Sequence, residues 1–153
     1  MKTFTLTGAS PLSPARLRAG LLDPATWHRQ DGAVESAADD ALTASFPLGE
    51  RSVPDSLSRF VPDDAVLRIT VRAAAEAAAG SPQTARLTVT VPGAPVTVRV
   101  ELTARPADTG STVGAAAELE SSVPLFGPMV ESALEPVVRS QLREKLDQLA
   151  DLR

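Results

Sequence analysis

The feature that most constrains this chain is its C-terminal segment, residues 123–153, whose helical periodicity is longer than any before it. Apolar side chains recur there at steps of three and four, as they do on one face of a helix. The first set is Phe126, Met129, Val130, Ala133, Leu134 and Val137, and the second is Val138, Leu142, Leu146, Leu149 and Leu152. Successive residues of a helix are separated by about 100°, so the two sets lie at different positions around it. The segment predicts one long helix that presents two apolar faces to two parts of its support.

Pro136 separates the two sets. A proline inside a helix removes a hydrogen bond, and its ring clashes with the carbonyl four residues earlier, here that of Ser132. We therefore expect a kink at Pro136. Pro128 suits the first turn, where its missing N–H is not needed. Glu131 lies near the positive end of the helix dipole.

Four segments before this helix alternate between apolar and polar residues, which predicts β-strands. They are residues 66–75, 85–91, 96–102 and 113–119. Arg and Thr recur on one face and aliphatic residues on the other, a pattern typical of an antiparallel sheet with one dry face. The dry face needs a cover, which the C-terminal helix is long enough to supply. The alanine-rich run 73–79 would also suit a helix, but the period of two before it favours a strand end and a turn.

The N-terminal half predicts shorter elements. Residues 2–8 alternate as a strand. Ser13-Pro14 and Asp23-Pro24 each combine a capping residue with a proline at the first helical position, so each predicts a short helix.

A hairpin and an irregular segment follow. Asp39-Asp40 predicts a turn between strands at residues 34–38 and 42–48. Residues 49–64 then interrupt the strands, and Pro54 can start a helical turn there. The segment is either a plug packed on the sheet edge or a mobile lid over a pocket, and the sequence leaves both open.

Composition narrows the class of protein. A length of 153 residues predicts a single domain, residues 1–153. The formal net charge of −4, without a basic cluster, argues against nucleic acid as a partner and gives no support for binding to anionic membranes. The N-terminus is too short and polar for a signal peptide, and no apolar run approaches the roughly 20 residues of a membrane span. We therefore expect a cytoplasmic protein without stable membrane insertion.

The order of predicted elements resembles a known fold. One strand, two short helices, six strands and one long helix is the order of the helix-grip fold of the START-like (SRPBCC) superfamily. That superfamily includes the birch-pollen allergen, polyketide cyclases and lipid-transfer domains. LLDPATW at residues 21–27 is similar to its second-helix signature. VPGAPV at 91–96 and VPLFG at 123–127, followed by Glu131, resemble an uncharacterised actinobacterial family, domain-of-unknown-function family 2505.

This resemblance covers nearly the whole chain. It implies an α+β helix-grip fold, in which a curved seven-stranded antiparallel sheet wraps the C-terminal helix. Members of the superfamily generally bind hydrophobic small molecules between sheet and helix. We therefore expect non-catalytic binding of an apolar small molecule or lipid, driven by burial of its carbon atoms, with no cofactor and no metal. The expected lining is Leu67, Ile69, Val71, Leu87, Val89, Val98, Val100, Met129, Val130, Ala133 and Val137.

Few residues are suited to catalysis. His28 is the only histidine and cysteine is absent, so neither a Cys/His metal set nor a Ser-His-Asp set consistent with the chain order can be assembled. His28 could serve as a general base in a polyketide cyclase or hydratase-like enzyme, although a solvent-facing role is more common for such a residue. The acid pairs Asp39-Asp40 and Asp63-Asp64 lack the spacing of a calcium loop.

A third class of function also stays open. Small alanines at positions 73, 115 and 117 either leave room for a cavity or let the helix settle close and fill it. A filled core would indicate a domain that acts only through protein partners. An open edge on the first strand would permit a homodimer.

Overall fold

The computed structural model describes residues 1–47, 65–123 and 125–149. The predicted lid or plug, residues 49–64, lies outside the described residues. The elements are β1 (Lys2–Ser10), α1 (Pro14–Leu21), α2 (Pro24–His28), β2 (Ala33–Ala37), β3 (Ala41–Pro47), β4 (Val66–Ala73), β5 (Gln83–Thr90), β6 (Val96–Ala107), β7 (Gly110–Ser121) and α3 (Gly127–Leu149). The predicted α+β class and the order of elements are confirmed.

All seven strands form one antiparallel sheet in the order β1-β7-β6-β5-β4-β3-β2. Strands β2 to β6 each pair with the next strand in the chain, and β1 completes the sheet by pairing with β7. The last strand therefore lies beside the first. After β7 the chain continues into α3, which contacts β1 and β7. A sheet holding one long C-terminal helix in this way is the helix-grip arrangement.

The two short helices form for the reasons visible in the sequence. Ser13 Oγ accepts a hydrogen bond from the Arg16 backbone N–H, and Asp23 Oδ1 accepts one from Ala25 N–H at 2.9 Å. A proline occupies the first position of each helix. Trp27 at the end of α2 is buried, and its indole N–H donates to the Leu21 carbonyl at 2.9 Å.

The alanine-rich run after β4 is not helical, as predicted. The buried side chain of Gln83 replaces the internal hydrogen bonds that a helix would supply. Its Oε1 accepts from Ala77 N–H at 2.9 Å, and its Nε2 donates to the Ala74 carbonyl at 3.2 Å. Arg18 of α1 donates to the same carbonyl at 2.9 Å. Tertiary contacts thus override the helix propensity of alanine.

The face of the sheet that carries the core, here called the inner face, holds two main clusters. The α3 cluster comprises the buried residues Phe4, Val98, Val100, Ala104, Val113, Ala115, Ala117, Leu119 and Leu146. The α2 cluster comprises the buried residues Trp27, Leu42, Ala44 and Val71. The half-buried Leu87 of β5 packs against both clusters, so it lies where the two meet.

Helix α3 is continuous from Gly127 to Leu149, and Pro136 inside it is exposed. Val130 and Val123 form a small separate cluster near the start of the helix, and Ala133 and Leu134 pack against it. Beyond the proline, Val138, Leu142 and Leu149 pack against the α3 cluster, to which Leu134 also contributes. The two apolar sets thus rest on two neighbouring parts of the support.

Two residues of the first set are not on the buried face. Phe126 is 45% exposed and Met129 is 53% exposed. Phe126 precedes the first helical residue, so helical periodicity does not govern its direction. Met129 is displaced by about 100° from Val130, the most deeply buried side chain of this turn.

Candidate functional site

In the part of the chain that the structure describes, no helix covers the inner face completely at its centre. One row of register partners across the sheet runs through Ala44, Ile69, Val89, Val98 and Leu119. Ala44 and Leu119 are 0% exposed and Val98 is 7% exposed. Ile69 and Val89, between them, are only half-buried. Within this row, the accessible apolar side chains are therefore those of the two central strands, β4 and β5.

The neighbouring rows show how this opening is shaped. In the next row towards α1, Leu87 is half-buried, whereas its register partners Val71 and Val100 are buried. In the row on the other side, Phe46 and Leu67 are paired and both are half-buried. The opening therefore widens towards the end of the sheet where β4 begins and β5 ends.

The positions of the helices explain the opening. Helix α3 contacts β1 and β7 at one side of the sheet, α2 contacts β2 at the other side, and α1 contacts β5 and β6. Among the described residues, β4 and the part of β5 away from α1 lie between these covers. We call the half-buried apolar side chains there, Leu67, Ile69, Leu87 and Val89, the central gap.

The predicted lining residues separate into three groups. Val71, Val98, Val100 and Val130 are buried in the packed clusters. Leu67, Ile69, Leu87, Val89, Ala133 and Val137 are half-buried, and the first four of these adjoin one another on β4 and β5. Met129 is exposed. The structure thus places the accessible part of the predicted lining mainly on two strands.

Buried polar side chains in the described ranges are bonded to the backbone. Ser111 Oγ donates to the Leu12 carbonyl at 2.7 Å, and Ser10 Oγ accepts from Leu12 N–H at 3.2 Å. Gln83 holds the β4–β5 connection, as described above. These groups fix loops at the α1 end of the sheet and do not supply a free acid or base.

Glu131 is a buried carboxylate that periodicity did not identify, with only 4% exposure. Its Oε2 accepts from Ser121 N–H at 3.0 Å, and its Oε1 lies 2.5 Å from the amino group of Met1. These two partners, the amine first, hold the pKa of Glu131 below its ordinary value, against the effect of burial. The signal in the sequence was its place after VPLFG, which helical spacing alone could not interpret.

His28 lies exposed on α2, outside the central gap. The free edge of β1 is partly covered by α3. Arg143 Nη2 donates to the Thr7 carbonyl at 2.7 Å. Leu146 packs close to Gly8, because a Cβ added at Gly8 would lie 3.2 Å from the Cβ of Leu146. The edge that was expected to permit a dimer is thus engaged by the chain's own helix.

A depression of about 630 Å³ lies on the outer face of the sheet, not between sheet and helix. Small Ala116 is surrounded there by longer side chains from the neighbouring strands, including Thr3, Thr5, Arg86, Arg99, Glu101 and Glu118. Arg86 pairs with Glu101 at 3.5 Å, and both side chains are more than half exposed. This polar, solvated surface does not suit an apolar ligand.

The fold and these features define an α+β helix-grip protein with an apolar opening at the centre of its sheet. No helix among the described residues is long and apolar enough to span a bilayer. The chain belongs to the family described as "Protein of unknown function (DUF2505)", whose model matches residues 6–152. No curated protein shows significant sequence similarity to it.

Solved structures share the fold. Protein CV1439 from Chromobacterium violaceum is 16% identical with a TM-score of 0.58, and the match covers 99% of this chain and 97% of that one. TTHA0849 from Thermus thermophilus is 11% identical with a TM-score of 0.59, covering 92% and 89%. A conserved protein from Geobacillus kaustophilus is 12% identical with a TM-score of 0.51, covering 94% and 85%. At these identities the similarity concerns the fold alone.

Proposed function

We propose that this protein binds an apolar small molecule or the acyl chain of a lipid in the central gap, without catalysis. The observation that carries the proposal is the half-burial of Ile69 and Val89 within a row whose flanking members are fully packed. Aliphatic side chains in the middle of an inner sheet face are ordinarily covered. A ligand laid along β4 and β5 would complete that cover.

The chemistry of the gap indicates an apolar ligand. Its four side chains are aliphatic, and the neighbouring half-buried Phe46, whose ring packs against buried Trp27 at 6.1 Å between centroids, extends the apolar surface. If each of the four side chains lost about 50 Å² of accessible surface, burial at about 25 cal/mol per Å² would contribute roughly 5 kcal/mol. Association costs are of similar size, so the ligand must also bury much of its own surface. A fatty acyl chain or a fused-ring molecule meets that requirement.

A pair of matched substitutions tests this proposal. Val89 and Val98 are register partners on adjacent strands, but Val89 is half-buried and Val98 is 7% exposed. Val89→Trp is expected to fill the gap, to leave the free energy of unfolding within about 1 kcal/mol of the parent and to abolish binding of the apolar probe N-phenyl-1-naphthylamine. Val98→Trp adds the same bulk to a packed cluster and is expected to cost about 1–3 kcal/mol.

Probe fluorescence and urea unfolding give the two readouts. Probe uptake by the parent that is lost in Val89→Trp supports the proposal. If the parent takes up no probe, and Val89→Trp is destabilised as strongly as Val98→Trp, the gap is already filled by the protein. The alternative of a packed domain that acts through protein partners would then replace ligand binding.

A further inference from the structure

One end of the molecule carries a group of exposed apolar side chains. Leu125 is 96% exposed, Phe126 is 45% exposed and Met129 is 53% exposed. They lie in and just after the connection from β7 to α3. We call these three residues the apolar tip. Apart from Met1, they are the large hydrophobic side chains that stand exposed in the described ranges.

The chain segments on either side of the apolar tip carry no charged side chain. Ser122 N–H donates to the Pro95 carbonyl at 2.9 Å, and Val96 packs against Val123 and Val130, so the β5–β6 turn lies beside the β7–α3 connection. Neither residues 91–96 nor residues 121–130 include an Asp, Glu, Lys or Arg. The first ionisable residue of α3, Glu131, is buried and paired with the half-exposed amino group of Met1. The tip itself can therefore enter a less polar medium without removing a charged side chain from water.

The backbone holds Leu125 outward at a cost. Its φ of 66° lies in the left-handed region, which bulky residues rarely occupy. A buried leucine could offset such strain by packing, but this one is almost fully exposed. Packing within the fold therefore does not explain why a leucine, instead of Gly or Asn, occupies this left-handed position.

The size of the apolar tip distinguishes between kinds of partner. Its three side chains expose on the order of 400 Å², given typical side-chain areas. A standard protein interface buries about 800 Å² on each partner, so the tip is small for that purpose. Interfacial attachment to a bilayer sets no minimum interface size: its strength scales with the apolar area that reaches the boundary between headgroups and acyl chains, so a small patch gives weak, reversible binding. The net charge of −4 further disfavours an anionic lipid surface.

We propose that the apolar tip docks reversibly on the surface of a zwitterionic lipid bilayer, with Leu125 and Phe126 entering the headgroup region. The central gap widens towards this same end of the sheet. The docking does not depend on the proposed function, whereas the further step, that the bilayer supplies the apolar ligand of the gap, rests on it.

Vesicle sedimentation tests the docking. The parent is expected to sediment with phosphatidylcholine vesicles, and more weakly with vesicles of equimolar phosphatidylcholine and phosphatidylglycerol. Leu125→Asn keeps a residue that tolerates the left-handed conformation, so the variant is expected to fold normally while its partition coefficient falls about tenfold or more. The matched control is Ala78→Asn, an apolar-to-Asn change in the exposed loop at the opposite end of the sheet, which is expected to sediment like the parent.

A second readout locates the contact. Phe126→Trp adds an indole at the tip, and its fluorescence is expected to be quenched by brominated phosphatidylcholine. The parent's Trp27 is only 6% exposed and is expected to be unaffected. Equal quenching of both proteins, or sedimentation of Leu125→Asn equal to that of the parent, would overturn the docking.

Further outcomes separate the possible failures. Self-association of the parent in analytical ultracentrifugation that is lost in Leu125→Asn would assign the tip to a second copy of the chain and overturn the bilayer proposal. Probe binding in vesicle-free solution reports on the central gap alone. If Leu125→Asn binds probe normally but not vesicles, both proposals stand. If the parent binds probe but no vesicles, only the docking fails, and if it binds vesicles but no probe, only the proposed function fails.

Discussion

Replacing Glu131 by Gln tests whether a buried carboxylate fastens the start of α3 to both β1 and β7, at the end of the sheet where β1 begins and β7 ends. The carboxylate is 4% exposed, accepts from Ser121 N–H on β7 and pairs with the amino group of Met1 beside β1. Gln can still accept from Ser121, but its hydrogen bond is neutral. The change from a charged to a neutral acceptor reduces the stabilisation that such a hydrogen bond contributes by about 1 kcal/mol. The lost ion pair, whose amine partner is half exposed, adds up to about 1 kcal/mol after screening.

The expected loss is therefore about 1–2 kcal/mol in urea unfolding at neutral pH. The matched control is Glu135→Gln, one turn further along the same helix. Glu135 pairs with Arg139 at 2.7 Å on the surface, an i,i+4 contact worth about 0.3–0.5 kcal/mol. Comparing the two variants separates a buried, doubly bonded carboxylate from an ordinary surface pair on the same helix.

The pH dependence gives the decisive result. Because the folded-state pKa of Glu131 is lowered, the carboxylate contributes its stabilisation above the unfolded-state pKa of about 4.3. That contribution is lost as the pH falls through the lowered folded-state pKa. The difference in stability between parent and Glu131→Gln should therefore shrink on acidification. A difference below about 0.5 kcal/mol at pH 7, or one that does not change with pH, would refute the reasoning.

Three further predictions concern the support of the gap. Gly32→Ala would place a Cβ 2.6 Å from the Phe46 ring and 3.0 Å from the Trp27 carbonyl. We therefore expect the free energy of unfolding to fall by about 1–3 kcal/mol and the fluorescence of Trp27 to change. An unchanged emission spectrum and unchanged stability would contradict this. Gln83→Ala removes the side-chain hydrogen bonds to the β4–β5 connection and should lower the free energy of unfolding, measured with urea, by about 2–3 kcal/mol. A decrease below about 1 kcal/mol would show that the connection does not depend on these hydrogen bonds. Pro136→Ala should be tolerated poorly and should not raise the melting temperature, although proline costs a helix interior about 3 kcal/mol, because loss of the kink that the sequence predicts at Pro136 would disturb the seating of Leu142 and Leu146; a clear rise would count against a helix with two apolar faces.

The fold could be predicted because its signals are local and agree with one another. Alternation of Arg and Thr with aliphatic residues marks the strands, and capping residues before Pro14 and Pro24 mark the short helices. The Pro92–Pro95 turn and Gly110, with a φ of 120°, mark the hairpins around β6. These features depend on residues within a few positions of each other, so the sequence displays them directly.

The candidate site was less predictable because burial depends on where the cover lies. Alternation places Ile69, Val89 and Val98 on the same face, but only the position of α3 decides which of them is packed. The burial of Glu131 likewise results from two partners on different strands, Ser121 and Met1, that no helical spacing reveals. Conversely, periodicity assigned Met129 to the buried face, but the side chain that packs in this turn is that of Val130, about 100° away.

The alanines of β7 explain why the opening is at the centre of the sheet. Ala115 and Ala117 could have left a cavity beneath α3, but they are 2% and 1% exposed, and the helix contacts their strand. Small side chains there let the helix settle close, and Gly8 on β1 permits the same approach to Leu146. A helix seated on β7 and β1 cannot also cover β4 and β5, which carry the larger Leu67, Ile69, Leu87 and Val89. The distribution of small and large residues across the inner face thus both seats the helix and leaves half-buried apolar side chains on β4 and β5.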